Sequence, residues 1–462
     1  MKSPISVGVL VLCICSVAPA APSAEDTRAI TQTSVKSHLE FLASDAMNGR
    51  GSGTRDEWIA AEYLASQMRL WGLAPLGDRG GYVQTIAIER VTLAKPPLLS
   101  FGASRFTHGT EVLVTSMGAA KHAGPLQKFQ PGADVKPGAA VLLPENRPAG
   151  AIAGLTAAAI VLSAESPQAR QQWTALAARP ISLAASLPDF TIQAAPRPAR
   201  LILDKAAYAS IAALAEGTMV TVEGEPAPPQ RTHTWNAVGQ LRGRDRSRAG
   251  EVILLSAHLD HVGARQPRPG DAADADLINN GADDDASGCV AVLEIAKAIA
   301  TGRRPRRTIV FAFFGSEEAG GHGSRYFAEK PPVPLRQIVA NLQFEMIGRP
   351  DKAVPDKTLW LTGYERSTLG PSLARHGARL VQDPHPDQNF FERSDNIQFA
   401  RRGVVAHTVS SFNLHKEYHT VEDETRLIDY AHMTESIRSM VAPIRWLANS
   451  SFKPDWLPGK KP

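Results

Sequence analysis

Beyond Thr232 the sequence repeats a pattern of strand, loop and helix, and its apolar runs show no alternation with polar residues. The strand-like runs are 252–257, Thr308–Phe314, 339–346 and 403–409, with a helical pattern over Gly288–Ala300. Near-continuous β-branched and aromatic runs of this length are strands buried on both faces. They predict an α/β protein whose mostly parallel mixed sheet is sandwiched by helices. Between about 96 and 230 the texture changes to short apolar stretches broken by Pro and Gly, such as 140–143 and 157–162, without a His/Asp/Glu constellation. This predicts an inserted domain with no chemistry of its own.

Taken in order, residues 1–24 carry Lys2, an apolar run over 7–17 and then small residues (Ala18, Ala20, Ala21, Ser23, Ala24), the pattern of a secretory signal peptide. The expected location is secreted or periplasmic. The apolar run is well short of the roughly 20 residues that a spanning helix needs, so stable membrane insertion is not expected. Cys13 and Cys15 fall in that segment, which leaves Cys289 as the one cysteine of the mature chain and excludes an intrachain disulfide. Cys289 opens an apolar helical pattern, where a small buried thiol is the favoured reading.

Residues 25–95 form a leading segment of the main domain. Trp58, Ala61, Leu64, Ala65 and Met68 fall at helical spacing within 54–70, after Gly51 and Gly53 and before Gly72. The inserted domain spans 96–230, the main domain resumes over 231–450, and 451–462 is a tail. Arg303, Arg304, Arg306 and Arg307 follow the 288–300 helix, where a solvated helix terminus is expected. A chain of 462 residues has room for two or three cores. Its net charge of +4, from 50 basic and 46 acidic residues, gives no field that recruits nucleic acid.

Candidate chemistry lies in five short stretches: His258-Leu259-Asp260, Gly281 to Gly288 (GADDDASG), Ser316-Glu317-Glu318, Phe344-Glu345-Met346 and Tyr418-His419-Thr420. Histidines and carboxylates without cysteine are the donors of a hydrolytic metal pair. His258 ends a strand-like run, and Asp260, two residues on, points the same way and can hold the imidazole as an outer partner. Asp283, Asp284 and Asp285 in a row repel one another unless a cation or water intervenes. The small residues that follow lead straight into a buried helix, which favours the cation. Of the adjacent Glu317 and Glu318, one can bind metal while the other faces an attacking water; an acidic pair at a helix start is the alternative. His419 is read as a ligand and His415 as incidental. Two divalent cations against Asp284, Glu318 and Glu345 leave one positive charge for a single anionic oxygen, so the cluster costs little to bury.

With these residues in this order, the chain resembles the co-catalytic two-zinc exopeptidases of peptidase family M28, which include secreted bacterial aminopeptidases, glutamate carboxypeptidase and the transferrin receptor. The resemblance covers about 232–449, and Leu42 to Asp45 and Gly49 to Gly51 look like the family's usual start. It implies two zinc ions, with Co or Mn as possible substitutes, and the zinc-exopeptidase fold with a protease-associated-like insertion. It further implies His258 as ligand of one ion, Asp284 as the bridge, Glu318 and His419 as ligands of the other, and Glu345 as a ligand where relatives commonly have Asp. Glu317 resembles the general base, Tyr418 the phenol that polarises the substrate carbonyl, Asp260 the partner of His258, and Asp395 part of a further motif near the pocket. The expected activity is that of an aminopeptidase on peptide substrates. A carboxypeptidase, another amide hydrolase or a cyclase on the same scaffold, and a non-catalytic receptor, are the alternatives.

Overall fold

The computed structural model describes residues 27–130, 133–146, 155–178, 180–183, 187–188, 197–248, 250–267 and 270–462; the expected signal peptide lies outside them. Two sheets organise the chain. The larger has nine strands, in the order Ala74–Pro75, Gln230–Leu241, Thr308–Phe314, Val252–His258, Ile338–Phe344, Ala406–Ser410, Leu359–Leu361 and Leu380–Gln382, with Val83–Arg90 on the far stretch of Gln230–Leu241. Thr308–Phe314, Val252–His258, Ile338–Phe344 and Ala406–Ser410 are mutually parallel neighbours, and the outer strands add antiparallel pairs. The sheet is therefore mixed with a parallel centre, as the apolar runs predict.

Side chains divide by parity along these strands. Ile253, Leu255, Ala257, Ile309, Phe311 and Phe313 join a core with the helices Gln32–Leu42, Arg55–Leu70, Gly288–Ala300 and Tyr430–Asn449. Val252, Leu254, Val310, Ala312 and Phe314 face Phe327 and Phe399, on the short helices His322–Glu329 and Asn396–Ala400. Both faces are covered, which is why no polar position interrupts the runs. Thr54 starts the Arg55–Leu70 helix by accepting the N–H groups of Asp56 and Glu57 at 3.3 and 3.4 Å, weak bonds at the helix start. The strand expected over 339–346 is Ile338–Phe344, so Glu345 stands just beyond its carboxyl end.

The second sheet, of eight strands, lies between Leu98 and Glu223 in the sequence and has its own core, including Leu99, Val114, Leu126, Ile160, Leu201 and Val222. The chain leaves the large sheet at Arg90 and re-enters it at Gln230, and these two residues are paired across the antiparallel ladder. The second unit thus hangs from one edge of the first.

The arginine cluster after the Gly288–Ala300 helix is not uniformly solvated. Arg307 is fully buried, with Nε on Glu251 Oε2 at 2.6 Å and Nη1 on the carbonyls of Leu447 and Phe452 at 2.7 and 2.8 Å. A carboxylate and the carbonyls near the end of the long C-terminal helix satisfy the cation, so it packs inside instead of facing water. Residues 451–462 run back over the domain, where Leu457 N–H bonds the Arg366 carbonyl at 2.8 Å.

His407, buried on the strand Ala406–Ser410, has Nδ1 2.7 Å from the Thr362 carbonyl and Nε2 2.7 Å from Ser367 Oγ. Burial, with a smaller push from Arg366, drives its pKa from 6.5 down to about 4. The unfolded chain takes up this proton first. His407 therefore contributes stability that is present above about pH 6.5 and lost as the pH falls through 4, at most roughly 3 kcal/mol. Urea unfolding at pH 7 and pH 4.5 checks this: His407→Gln is expected to flatten the loss of stability on acidification, and an unchanged slope would contradict it.

Candidate metal centre

The four parallel strands at the sheet centre open their carboxyl ends on one rim. The connection from Val252–His258 goes to one neighbour, Thr308–Phe314, and the next crosses to the other, Ile338–Phe344. Such a reversal leaves a crevice, and ligands of open α/β sheets bind there. His258 ends its strand; Glu317 and Glu318 follow Phe314, Glu345 follows Phe344, and the loop beyond Ser410 carries Tyr418 and His419.

Two donor sets form on this rim and share Asp284. One is His258, Asp284 and Glu345; the other is His261, Asp284, Glu318 and His419, with one donor atom from each residue and all donors of a set within 4.8 Å of one another. His258 Nε2 is 3.1 Å from Asp284 Oδ1, and His419 Nε2 is 3.1 Å from Asp284 Oδ2 and 3.0 Å from Glu318 Oε1. His261 Nδ1 is 3.0 Å from Glu318 Oε1 and 3.7 Å from Asp284 Oδ2. Tetrahedral bonds of about 2.0–2.1 Å set donors roughly 3.3 Å apart, so these spacings fit the edges of a metal's coordination shell. Although buried, Asp284 Oδ2, Glu318 Oε1, Glu345 Oε2 and both His261 ring nitrogens make no hydrogen bond. Donor atoms that crowd together without bonding one another are what a shared cation explains. His261 is absent from the sequence-based set. The pattern reading of His258-Leu259-Asp260 assumes that the strand period continues, but the chain turns after His258 and the His261 N–H bonds the Arg50 carbonyl at 3.1 Å. The available signal is a second histidine three residues on.

Other carboxylates hold the backbone that carries the donors. Of the three consecutive aspartates only Asp284 faces the donor sets. Asp283 accepts from Gly348 N–H at 2.8 Å and from His415 Nε2 at 3.1 Å, and Asp285 accepts from Gly288 N–H at 2.9 Å, Met346 N–H at 3.1 Å and His258 N–H at 3.2 Å. Asp423 accepts from the N–H groups of Asp283 at 3.0 Å and Asp284 at 3.1 Å. His415 is thus not incidental: it braces Asp283 from the same loop that presents His419. Asp260 has partners beyond the expected one. Its carboxylate bonds the N–H groups of Glu317 and Glu318 at 2.9 and 3.3 Å, while His258 Nδ1 meets the Asp260 carbonyl at 3.1 Å and the carboxylate no closer than 3.7 Å. Buried Glu57 completes the frame, accepting Ser316 N–H at 2.7 Å and Thr234 Oγ1 at 2.6 Å.

Burial pushes Glu317 well above the ordinary carboxylate range, with Glu345, Asp395 and Glu318 adding repulsion against the pull of His258. Glu345 rises to about 7 through burial, then Asp284, against His258; Asp395, buried beside Gln343, also rises to about 7 through burial. Burial alone would lower His419, but Asp284 and Glu318 outweigh it and raise it to about 10. Tyr418 stacks on His419 with ring centroids 3.9 Å apart, and burial and then the nearby acids raise its phenol. Two cavities flank the donors. Met346, Trp360, Phe390, Phe412, Glu345 and Tyr418 line a small aromatic one, and Glu317, Glu318 and Asp395 line part of a cleft of about 350 Å³.

The fold and rim define a mixed α/β scaffold with a candidate histidine and carboxylate metal site. Residues 236–443 match the model of peptidase family M28. Leucine aminopeptidase 2 of Trichophyton equinum is 27% identical over 181 residues, 37% of this chain and 32% of its own length. An aminopeptidase of Pseudomonas aeruginosa is 32% identical over 123 residues, 26% of this chain and 20% of its own. The matches therefore span about a third or less of these relatives. The aminopeptidase from Aneurinibacillus sp. strain AM-1 superposes with a TM-score of 0.57 at 17% identity, over 92% of this chain and 96% of that one. BSAP, a zinc aminopeptidase from Bacillus subtilis, gives 0.52 at 17% over 91% and 96%. These two likenesses establish the fold over nearly the whole chain.

His419 is protonated and Glu345 partly protonated near neutrality in the metal-free cluster, so a cation bound there would displace those protons. Titrating chelated protein with Zn²⁺ at pH 7, in buffers of different ionisation enthalpy, is expected to show net proton release and affinity that weakens as the pH falls below 7. Binding without proton release would contradict this arrangement.

Proposed function

We propose that the chain is a secreted or periplasmic metal-dependent aminopeptidase that holds two zinc ions, with Co or Mn as substitutes, and removes N-terminal residues from peptides. The observation that carries this reading is the pair of donor sets sharing Asp284, with half-buried Glu317 on the same rim and open to the cleft. His258 and Glu345 would hold one ion and His261, Glu318 and His419 the other, with Asp284 contributing to both sets. Bound there, the ions would lower the pKa of an attacking water and polarise the scissile carbonyl. The relatives' names support the peptidase and zinc assignments. Among the described residues no helix is long and apolar enough to cross a membrane.

Glu317 takes the proton of the water and passes it to the leaving amine. Its raised pKa, set by burial, suits a carboxylate that must accept and release a proton near neutrality. Asp260 fixes the Glu317 and Glu318 backbone, so the base and the adjacent ligand are aimed from one rigid turn. Tyr418, whose raised pKa keeps the phenol protonated, donates to the carbonyl oxygen as negative charge develops there. The aromatic cavity takes the side chain of the first residue. The segment 96–230 is an inserted, protease-associated-like domain.

Replacing Glu317 with Gln removes the base and keeps the shape. Turnover of an aminoacyl reporter is expected to fall by roughly a thousandfold while bound zinc, measured by elemental analysis, stays at the wild-type level. Near-normal turnover by Glu317→Gln would overturn the assignment of the base.

A further inference from the structure

The cleft beside Glu317 contains cations that the metal chemistry does not use. Arg197, Arg393 and Arg401 line it together with Glu317 and Glu318. Arg401 has a partner, Glu392, at 3.7 Å. Arg197 and Arg393 form no ion pair with a described residue.

Both arginines are exposed, and each lies against a neighbouring group. Arg197 belongs to the second unit, just ahead of its strand Ala199–Leu203, and its backbone lies so close to Gly118 that a Cβ on that glycine would stand 2.2 Å from the Arg197 carbonyl oxygen. Its guanidinium reaches across to Gly320, where Nη2 would be 3.3 Å from an added Cβ. Gly320 closes the turn that follows Glu317, with its N–H 2.8 Å from the Glu317 carbonyl. Arg393 comes from the other side, its guanidinium 5.0 Å above the Phe390 ring, and it lines both the cleft and the aromatic cavity.

We infer that Arg197 and Arg393 clamp a carboxylate carried by the residue after the scissile bond, the terminal carboxylate of a dipeptide or an acidic side chain. This rests on the aminopeptidase reading above. Glu317 hands its proton to the leaving amine, so the leaving residue lies on the side of Glu317. Glu317 lines the cleft and is not among the residues of the aromatic cavity, whereas Glu345 and Tyr418 line the aromatic cavity. In a dipeptide the terminal carboxylate is within about one residue length, ~3.8 Å, of the leaving nitrogen, which brings it into the cleft. Guanidinium forks match a carboxylate in geometry as well as charge. An acidic side chain on the same residue offers the same chemistry.

The test compares kcat/KM of the zinc-loaded enzyme on Leu-Gly and Leu-Gly-amide, and on Leu-Glu-amide and Leu-Gln-amide. A preference of about tenfold or more for the carboxylate in the first pair, the second pair or both supports the clamp and says which carboxylate it holds. Arg197→Ala and Arg393→Ala are each expected to bring the favoured ratio towards one, and Arg197→Lys to restore part of it. Equal rates within both pairs would overturn the clamp and leave the aminopeptidase reading standing. So would variants that slow both members of a pair equally, the mark of a structural role. Cleavage of none of the four peptides would overturn both readings.

Discussion

Mutual repulsion among buried carboxylates is the constraint around which this molecule is arranged. Asp284, Glu317, Glu345 and Asp395 are packed on one rim with Glu318, and burial, joined by neighbouring negative charge, raises the pKa of Glu317, Glu345 and Asp395. Without cations such a cluster must take up protons. The fold tolerates it because its other buried acids have been given backbone donors: Asp283, Asp285, Asp423, Asp260 and Glu57 each accept main-chain N–H groups. The acids split into those that hold the frame and those left with bare oxygens. The bare oxygens of Asp284, Glu318 and Glu345 converge on two points that share Asp284.

The frame reaches well outside the stretch 236–443 matched by the family model. Arg50, fully buried, donates to the carbonyls of Leu42, Leu259, Asn280 and Gly281, tying the leading segment to the strand end that carries His258 and to the loop that carries Asp284. Glu57, on the helix Arg55–Leu70, holds the Ser316 turn ahead of Glu317. The leading segment is therefore structural support for the rim although it supplies no donor to it. The second sheet, entered after Arg90 and left before Gln230, contributes from the opposite side by carrying Arg197 to the cleft.

The parallel centre of the large sheet was legible because strands such as Thr308–Phe314 are covered on both faces and read as unbroken apolar runs. The stretches that hold Asp284, Glu318, Glu345 and His419 stood out because a donor residue directly after a buried run, or beside glycines, has few structural reasons to be there; which residue of each stretch faces a metal came from the family resemblance. The limits were equally physical. Periodicity stops at a strand end, so it could not show the turn that brings His261 back to Glu318. A motif names residue types and not acceptors, so Asp260 was assigned to the His258 imidazole alone, whereas its carboxylate, 3.7 Å from that ring, also bonds two backbone N–H groups. Arg307 looked like one more solvated cation because its partners, Glu251 and the carbonyls of Leu447 and Phe452, are remote in sequence. The bracing of Asp283 by His415 was hidden for the same reason.

Anomalous diffraction at the zinc edge, from crystals grown with zinc, tests the two shared donor sets most directly. Two peaks about 3.5–4 Å apart are expected on either side of the Asp284 carboxylate, one contacted by His258 and Glu345 and the other by His261, Glu318 and His419. A single peak, or two peaks of which either lies away from Asp284, would contradict it.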